Sequence, residues 1–216
     1  MPARYPEAAF LSAVTAGATH EMRNVLAIIK ESAGLLGDMV NLHAAGRTLD
    51  PERLRRAVDR VDVQVKRGAS ILTALNRISH AIDEDLKTLD LDEELRQAVF
   101  LSQRRARVNG VTLLTADPLA VGQVRANPLH LHMALFFALD RCIEAHPEGT
   151  SLVAKVLIDD TAVSVEFRGE PEPESALLPE PNGESWKEAQ AWVSASGGKL
   201  HVLDHGRVIE IRFDSA

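Results

Sequence analysis

Apolar residues recur every three or four positions through the first eighty residues, a spacing that predicts two long amphipathic helices. The first runs from about Glu7 to Leu42, and the second begins at Pro51 with Asp50 as its N-cap. The apolar positions of the first helix are Leu11, Val14, Ala18, Met22, Val25, Ile29, Ala33, Leu36 and Val40. Those of the second helix are Leu54, Val58, Val61, Val65, Gly68, Leu72, Leu75 and Ser79.

The second helix alternates steps of three and four, a heptad rhythm typical of helices that pack in a bundle or coiled coil. A hairpin of two such helices cannot cover both of its faces alone. We therefore expect a homodimer, in which the hairpins of two copies form a four-helix bundle.

After a polar segment at residues 83–88, the pattern changes to short strands mixed with helices, followed late in the chain by a Pro- and Glu-rich loop. The predicted helices are Asp92–Val108, Pro128–Ala145 and Glu184–Ser196. The predicted strands lie near Leu89 and at Val111–Thr115, Gly122–Ala126, Leu152–Ile158, Ala162–Phe167, Leu200–Leu203 and Val208–Phe213. This order indicates a two-layer α/β sandwich after the hairpin, hence an α+β chain with domains at residues 1–83 and 87–216.

Composition and charge argue against several classes of function and location. The net charge of −7 argues against a nucleic-acid-binding protein. The single cysteine, Cys142, excludes an internal disulfide and fits a reducing cytoplasm, and it is expected to be buried in an apolar helix. The longest apolar run, Met133–Leu139, is too short to cross a bilayer, so we expect a cytoplasmic protein without a membrane anchor.

Candidate chemistry lies in the first helix, at His20, Glu21 and Asn24. At about 100° per residue, His20 is expected to face away from the apolar stripe, with Asn24 one turn further on beside it. A neutral, accessible imidazole can accept a phosphoryl group, while Glu21 holds the other ring nitrogen and Asn24 orients a water or a partner. The alternative is that His20 is an ordinary solvent-exposed histidine without a chemical role. A zinc site of the His-Glu-x-x-His type is rejected, because Asn24 is a poor zinc ligand.

The other histidines and the basic residues carry weaker signals. His130 and His132 point to nearly opposite sides of a helix, which is wrong for a shared metal. The histidines expected near element ends or in loops, and therefore solvated, are His43, His80, His146, His201 and His205. The basic cluster of the second helix is either a solvated face or a surface for an acidic partner. It consists of Arg53, Arg55, Arg56, Arg60, Lys66 and Arg67.

The segment Ala18–Ile29 resembles the phosphoacceptor box of bacterial sensor histidine kinases, with the His-Glu-x-x-Asn signature at His20, Glu21 and Asn24. Val25 replaces the proline usual after the asparagine. Residues 87–216 are similar in layout to the ATP-binding domain of these kinases. The matching stretches are 124–135, continuing to 145, and the turn at 196–200.

The residues expected for nucleotide binding in such a domain are missing. By the resemblance, Phe137 and Arg141 take the positions of an acidic or amide residue and of the metal-binding asparagine. Val165–Gly169 lacks the adenine-recognising Asp-x-Gly-x-Gly element, and the glycine-rich phosphate loop is reduced to Gly183. Phosphates need free backbone amides and a coordinated cation. We therefore expect no ATP binding and no bound cofactor.

A histidine hairpin joined to a degenerate ATPase-like domain is similar in plan to the dimeric histidine phosphotransferases of bacterial phosphorelays. The resemblance implies that His20 exchanges a phosphoryl group with the aspartates of response regulator receiver domains, which supply Mg²⁺. Two alternatives stay open: a catalytically silent pseudokinase that regulates a kinase or response regulator, and an active histidine kinase with a divergent ATP site.

Overall fold

The computed structural model describes residues 6–116, 122–170 and 183–214, which form two compact units. One unit contains residues 12–76, and the other contains residues 6–11 together with residues 77–214. The predicted Pro- and Glu-rich loop lies almost wholly outside the described residues. Among the helices of the described ranges, none is both long enough and apolar enough to cross a membrane.

The two predicted long helices are present as α1, Pro6–Ala44, and α2, Pro51–His80. Asp50 caps α2 as expected, because its Oδ1 accepts hydrogen bonds from the backbone N–H groups of Glu52 (3.0 Å) and Arg53 (3.2 Å). The residues buried between the helices include Ala18, Val25, Ser32 and Met39 on α1, and Ala57, Gly68, Ile71 and Ala74 on α2.

The apolar pattern of these helices is wider than the surface that one hairpin can bury. The side chains that were predicted to be apolar contacts but are exposed in the chain are Ala33, Val40, Val58, Val65, Leu72 and Ser79. On α1, Ser32 and Met39 are buried against α2. The residues that follow them, Ala33 and Val40, were predicted to be buried and are exposed. A helix carrying two neighbouring stripes buries only the stripe that its single partner reaches.

The second unit contains the predicted α/β sandwich, with element ends that differ from the predicted ones by a few residues. A short 3-10 helix at Ala81–Asp83 precedes it. The helices are α3 (Leu91–Val108), α4 (Pro128–Ala145) and α5 (Glu184–Ala195). The strands are β1 (Lys87–Asp90), β2 (Thr112–Thr115), β3 (Gln123–Ala126), β4 (Ser151–Ile158), β5 (Ala162–Glu170), β6 (Gly198–Leu203) and β7 (Val208–Asp214).

Five of these strands form one mixed sheet in the order β2-β4-β5-β7-β6, and β1 pairs with β3 in a separate antiparallel ribbon. Only the β2–β4 pair of the larger sheet is parallel. Residues of β4 alternate between buried and half-buried, as expected for a sheet covered by helices on one face. The core between the layers includes Leu95, Leu139, Phe167 and Ile209.

The prediction that His146 is solvated is wrong. His146 follows the last residue of α4 and is buried, with Nδ1 2.7 Å from the carbonyl oxygen of Cys142. The ring lies over Gly169 of β5, where a Cβ atom would come within 2.3 Å of Nε2. The missing side chain of Gly169 therefore gives the imidazole a place inside the sandwich. Cys142 is buried as predicted, and burial raises the pKa of its thiol.

Charged side chains from the end of α2, from α3 and from α4 meet in the interior of the second unit: Arg77, Glu94 and His132. Glu94 of α3 is buried and pairs with Arg77, which also pairs with the exposed Glu93. Nε2 of the buried His132 of α4 lies 3.3 Å from Oε2 of Glu94. Burial raises the pKa of Glu94, and Arg77 opposes that shift. Burial, helped by the positive charges of Arg77 and Lys87, lowers the pKa of His132 to about 4.

We predict that His132 destabilises the protein in mild acid. Unfolded chains protonate this histidine near pH 6.5 and the folded chain only near pH 4, so stability falls as the pH drops through that window. The loss amounts to about 3 kcal/mol. In urea unfolding between pH 7.5 and 4, His132→Gln should lose less stability than wild type, while the exposed His80→Gln should follow wild type. A wild-type slope in His132→Gln would contradict the assignment.

Candidate functional site

His20 lies in the middle of α1 and is exposed. It lies five positions before the buried Val25, which places the imidazole roughly 140° around the helix from the surface that contacts α2. Asn24, also exposed, lies one turn further on, and its Nδ2 is 3.4 Å from Nδ1 of His20. The predicted neighbourhood of imidazole and amide is therefore present in the structure.

The contact with Asn24 bears on which ring nitrogen of His20 can react. An amide offers an N–H donor on one side and an oxygen acceptor on the other, and a rotation of about 180° exchanges them. In the orientation that the structure shows, the amide Nδ2–H donates to the lone pair of Nδ1. When the amide is rotated and its oxygen faces Nδ1, that oxygen accepts the Nδ1–H proton. The lone pair then lies on Nε2, the ring nitrogen that is not in contact with Asn24. This is the tautomer that a nucleophilic imidazole needs.

Glu21 makes its ion pair across the hairpin. Its Oε2 lies 2.6 Å from Nη2 of Arg67 on α2, and its side chain is only 14% exposed, against 39% for Arg67. The sequence predicts instead that Glu21 holds a ring nitrogen of His20 and that Arg67 belongs to a basic surface cluster. Arg67 is therefore a site residue that the sequence analysis missed.

A close approach of the two helices brings Arg67 within reach of Glu21. Gly68, the next residue, is buried, and a Cβ atom placed on it would lie 3.4 Å from Cγ1 of Val25 and 3.6 Å from Sδ of Met22. A side chain larger than that of alanine would collide with Val25 and Met22 and push the helices apart. The signal in the sequence was the glycine itself, because a glycine on an apolar helix face marks a place where two backbones can approach.

A second ion pair crosses the hairpin further from the site. Nη2 of Arg60 lies 3.2 Å from Oε2 of Glu31, and both side chains are about half exposed. Lys66 pairs with Asp62 within α2. Arg60 and Lys66 of the predicted basic cluster therefore form ion pairs within the hairpin.

The residues that the resemblance assigns to a nucleotide site form an aromatic and ionic cluster in the second unit. The ring of Phe137 meets Trp186 edge to face with centroids 5.3 Å apart, and Trp192 lies 6.3 Å away. The guanidinium carbon of Arg141 lies 5.8 Å from the Phe137 centroid. Within the described ranges, no three histidine, cysteine or acidic side chains are grouped so that they could hold a metal ion.

Arg141 is held by acidic partners. Its Nη2 lies 2.6 Å from Oε2 of Glu144 and 3.6 Å from Oδ2 of Asp140. Arg105 of α3 also pairs with both acids. Burial raises the pKa of Asp140, and the two arginines oppose that shift. The negative charges of Asp140 and Glu144 are therefore compensated by Arg105 and Arg141.

Comparison with known proteins identifies the fold. No protein-family model and no curated protein matches the chain. The catalytic domain of histidine kinase ThkA matches with 17% identity and a TM-score of 0.50, over 61% of this chain and 97% of that domain.

Two further solved structures match over most of this chain. Histidine kinase AdeS of Acinetobacter baumannii has 13% identity and a TM-score of 0.49, over 90% of this chain and 97% of that one. ThkA in complex with response regulator TrrA has 19% identity and a TM-score of 0.49, over 96% of this chain and 63% of that one.

The matched 61% of this chain thus shares the fold of the ThkA catalytic domain, in agreement with the sequence resemblance to histidine kinases.

We predict that the hairpin needs a small residue at position 68. Gly68→Ala should raise stability by up to about 1 kcal/mol, because alanine favours helix and its Cβ has room. Gly68→Leu should lower stability by about 1–3 kcal/mol through overpacking. Urea unfolding would measure both. Equal stability of the two variants would show that the helices do not approach closely here.

Proposed function

We propose that this chain is an ATP-independent phosphocarrier of a two-component phosphorelay, with His20 as the acceptor. The observation that carries the proposal is the exposed imidazole of His20, one ring nitrogen of which meets the Asn24 amide. A phosphoryl acceptor must be reachable by a partner protein and must present a lone pair outward.

In the proposed reaction, Nε2 of His20 attacks the phosphorus of an aspartyl phosphate on a response regulator receiver domain. The new N–P bond forms as the P–O bond breaks, and the aspartate carboxylate leaves with the electron pair. The Nδ1 proton stays on the ring, and the Asn24 oxygen stabilises the positive charge of the ring. The reverse steps deliver the group to a second receiver, and the receivers supply Mg²⁺.

The side chains at the resemblance-based nucleotide positions support independence from ATP. An asparagine can ligate Mg²⁺ through its oxygen, whereas the guanidinium of Arg141 has no acceptor atom and repels a cation. Arg141 already has carboxylate partners, and Phe137 is packed against Trp186. These contacts stabilise the domain without a nucleotide.

The exposed apolar residues of the hairpin support a homodimer. Six of them repeat every seven positions, as Leu26, Ala33 and Val40 on α1 and as Val58, Val65 and Leu72 on α2. We call these six residues the apolar stripe. On α1 the stripe lies roughly 120–160° from His20. Pairing of two copies through the stripe would complete a four-helix bundle and leave His20 accessible.

An active histidine kinase is the second candidate. The likeness to the ThkA catalytic domain favours a kinase over an ATP-independent carrier, because the protein that has this fold is a histidine kinase. The Arg141 and Phe137 contacts favour the carrier. The two candidates differ in the phosphoryl donor, which an assay can identify.

We predict that a purified receiver domain carrying a radioactive aspartyl phosphate labels the wild-type chain and that His20→Ala stays unlabelled. Asn24→Ala should slow labelling about tenfold, the scale of one lost hydrogen bond of roughly 1.4 kcal/mol. Labelled protein after gel separation would measure transfer. Label from ATP and Mg²⁺ alone at His20 would show a kinase instead.

His80→Ala serves as the control in this assay, because His80 is exposed at the end of α2. It should be labelled like wild type. Absence of label from both ATP and phosphorylated receivers would contradict the carrier and the kinase alike.

We predict that Val65→Glu dissociates the dimer, because it puts a charge into the apolar stripe. Val63→Glu is the matched control: Val63 is 58% exposed, like Val65 at 54%, and two residues away, so it points to nearly the opposite side of α2. Sedimentation velocity would measure the assembly. A wild-type monomer, or equal behaviour of the two variants, would refute pairing through the stripe.

A further inference from the structure

The residue next to the proposed acceptor is an acid whose carboxylate is tied to a base. Glu21 follows His20 directly, and its carboxylate lies 2.6 Å from the guanidinium of Arg67. Glu21 is mostly buried at the junction of α1 and α2, while Arg67 keeps a larger exposed fraction. The positive charge therefore lies on the solvent side of the pair.

An ion pair at this place changes the charge that an incoming phosphoryl group meets. Phosphoryl donors are anions at neutral pH, and an uncompensated carboxylate on the residue next to the acceptor would repel them. A guanidinium in contact with the carboxylate cancels most of that field. The pair also fixes the Glu21 side chain toward α2.

We infer that Arg67 is a positioning residue of the phosphoacceptor site, which binds and neutralises Glu21 so that an anionic phosphoryl donor can approach His20. This inference rests on the proposed role of His20 as acceptor. Arg67 acts through Glu21, and the contact depends on the close approach of the helices at Gly68.

A purely structural role would make the pair a tie between the two helices. The hairpin provides a matched comparison, because Arg60 and Glu31 also join α1 to α2 but lie about three helical turns from His20. A tie predicts that Arg67→Ala, Glu21→Gln and the double variant behave alike. Neutralisation predicts that Arg67→Ala is the slowest of the three, because it alone keeps the Glu21 carboxylate and removes the guanidinium that compensates it.

Phosphoramidate is a suitable probe, since it phosphorylates histidine without a protein partner. Nε2 of His20 attacks its phosphorus, the N–P bond to the imidazole forms, and the P–N bond to the leaving ammonia breaks. The rate at His20 would be followed by mass spectrometry of the peptide that contains it, with His20→Ala as the blank. The full chain is used, and urea unfolding checks that each variant is folded.

We predict that Arg67→Ala slows phosphorylation of His20 by roughly 10- to 100-fold, the range set by one uncancelled charge at short distance. Glu21→Gln and the double variant Arg67→Ala/Glu21→Gln should both react faster than Arg67→Ala. Arg67→Lys should keep most of the wild-type rate, and Arg60→Ala should keep all of it. Added salt should speed Arg67→Ala more than wild type, because it screens the carboxylate.

Each outcome decides between the proposals. If His20 reacts in wild type and Arg67→Ala reacts equally fast, or if the double variant is as slow as Arg67→Ala, the inference is overturned. If phosphohistidine forms at position 20 with the expected order of variants but does not pass to a receiver, the relay is wrong and the inference stands. If wild-type His20 does not react with phosphoramidate, the inference is overturned, and the receiver assay decides separately whether the relay is wrong.

Discussion

The close contact of α1 and α2 at Gly68 is the constraint on which the candidate site depends. A Cβ atom at position 68 would just come into contact with Val25 and Met22, so only a small residue fits between the helices here. That approach sets the distance across which Arg67 can reach Glu21. The acid beside His20 is thereby committed to the neighbouring helix, and the contact to Nδ1 of the imidazole comes from Asn24.

Much of the fold could be predicted because its signals are local. Asp50 followed by Pro51 marks the start of α2 through capping and a fixed φ angle, and the structure has that cap. The alternation along β4 and the start of α4 at Pro128 were equally readable, because each depends on neighbours within a few residues.

The sequence was less informative where distant parts of the chain meet. The helical period places Ala33 and Ser32 about 100° apart, but only the position of the partner helix decides that Ser32 is the buried one. His146 looked solvated because it ends a helix, and its burial depends on Gly169, more than twenty residues later. The Glu21–Arg67 pair likewise requires the register of two antiparallel helices.

The placement of the apolar stripe and of His20 on different sides of α1 has a consequence for how such a chain can diverge. If the chain pairs through the stripe and meets a regulator at His20, as proposed, substitutions at Leu26 or Val65 would change self-recognition and leave the regulator surface unaltered, and changes around Asn24 would have the opposite effect. A duplicated gene could therefore insulate its product from the parent by altering one surface at a time, without passing through a protein that has lost both properties.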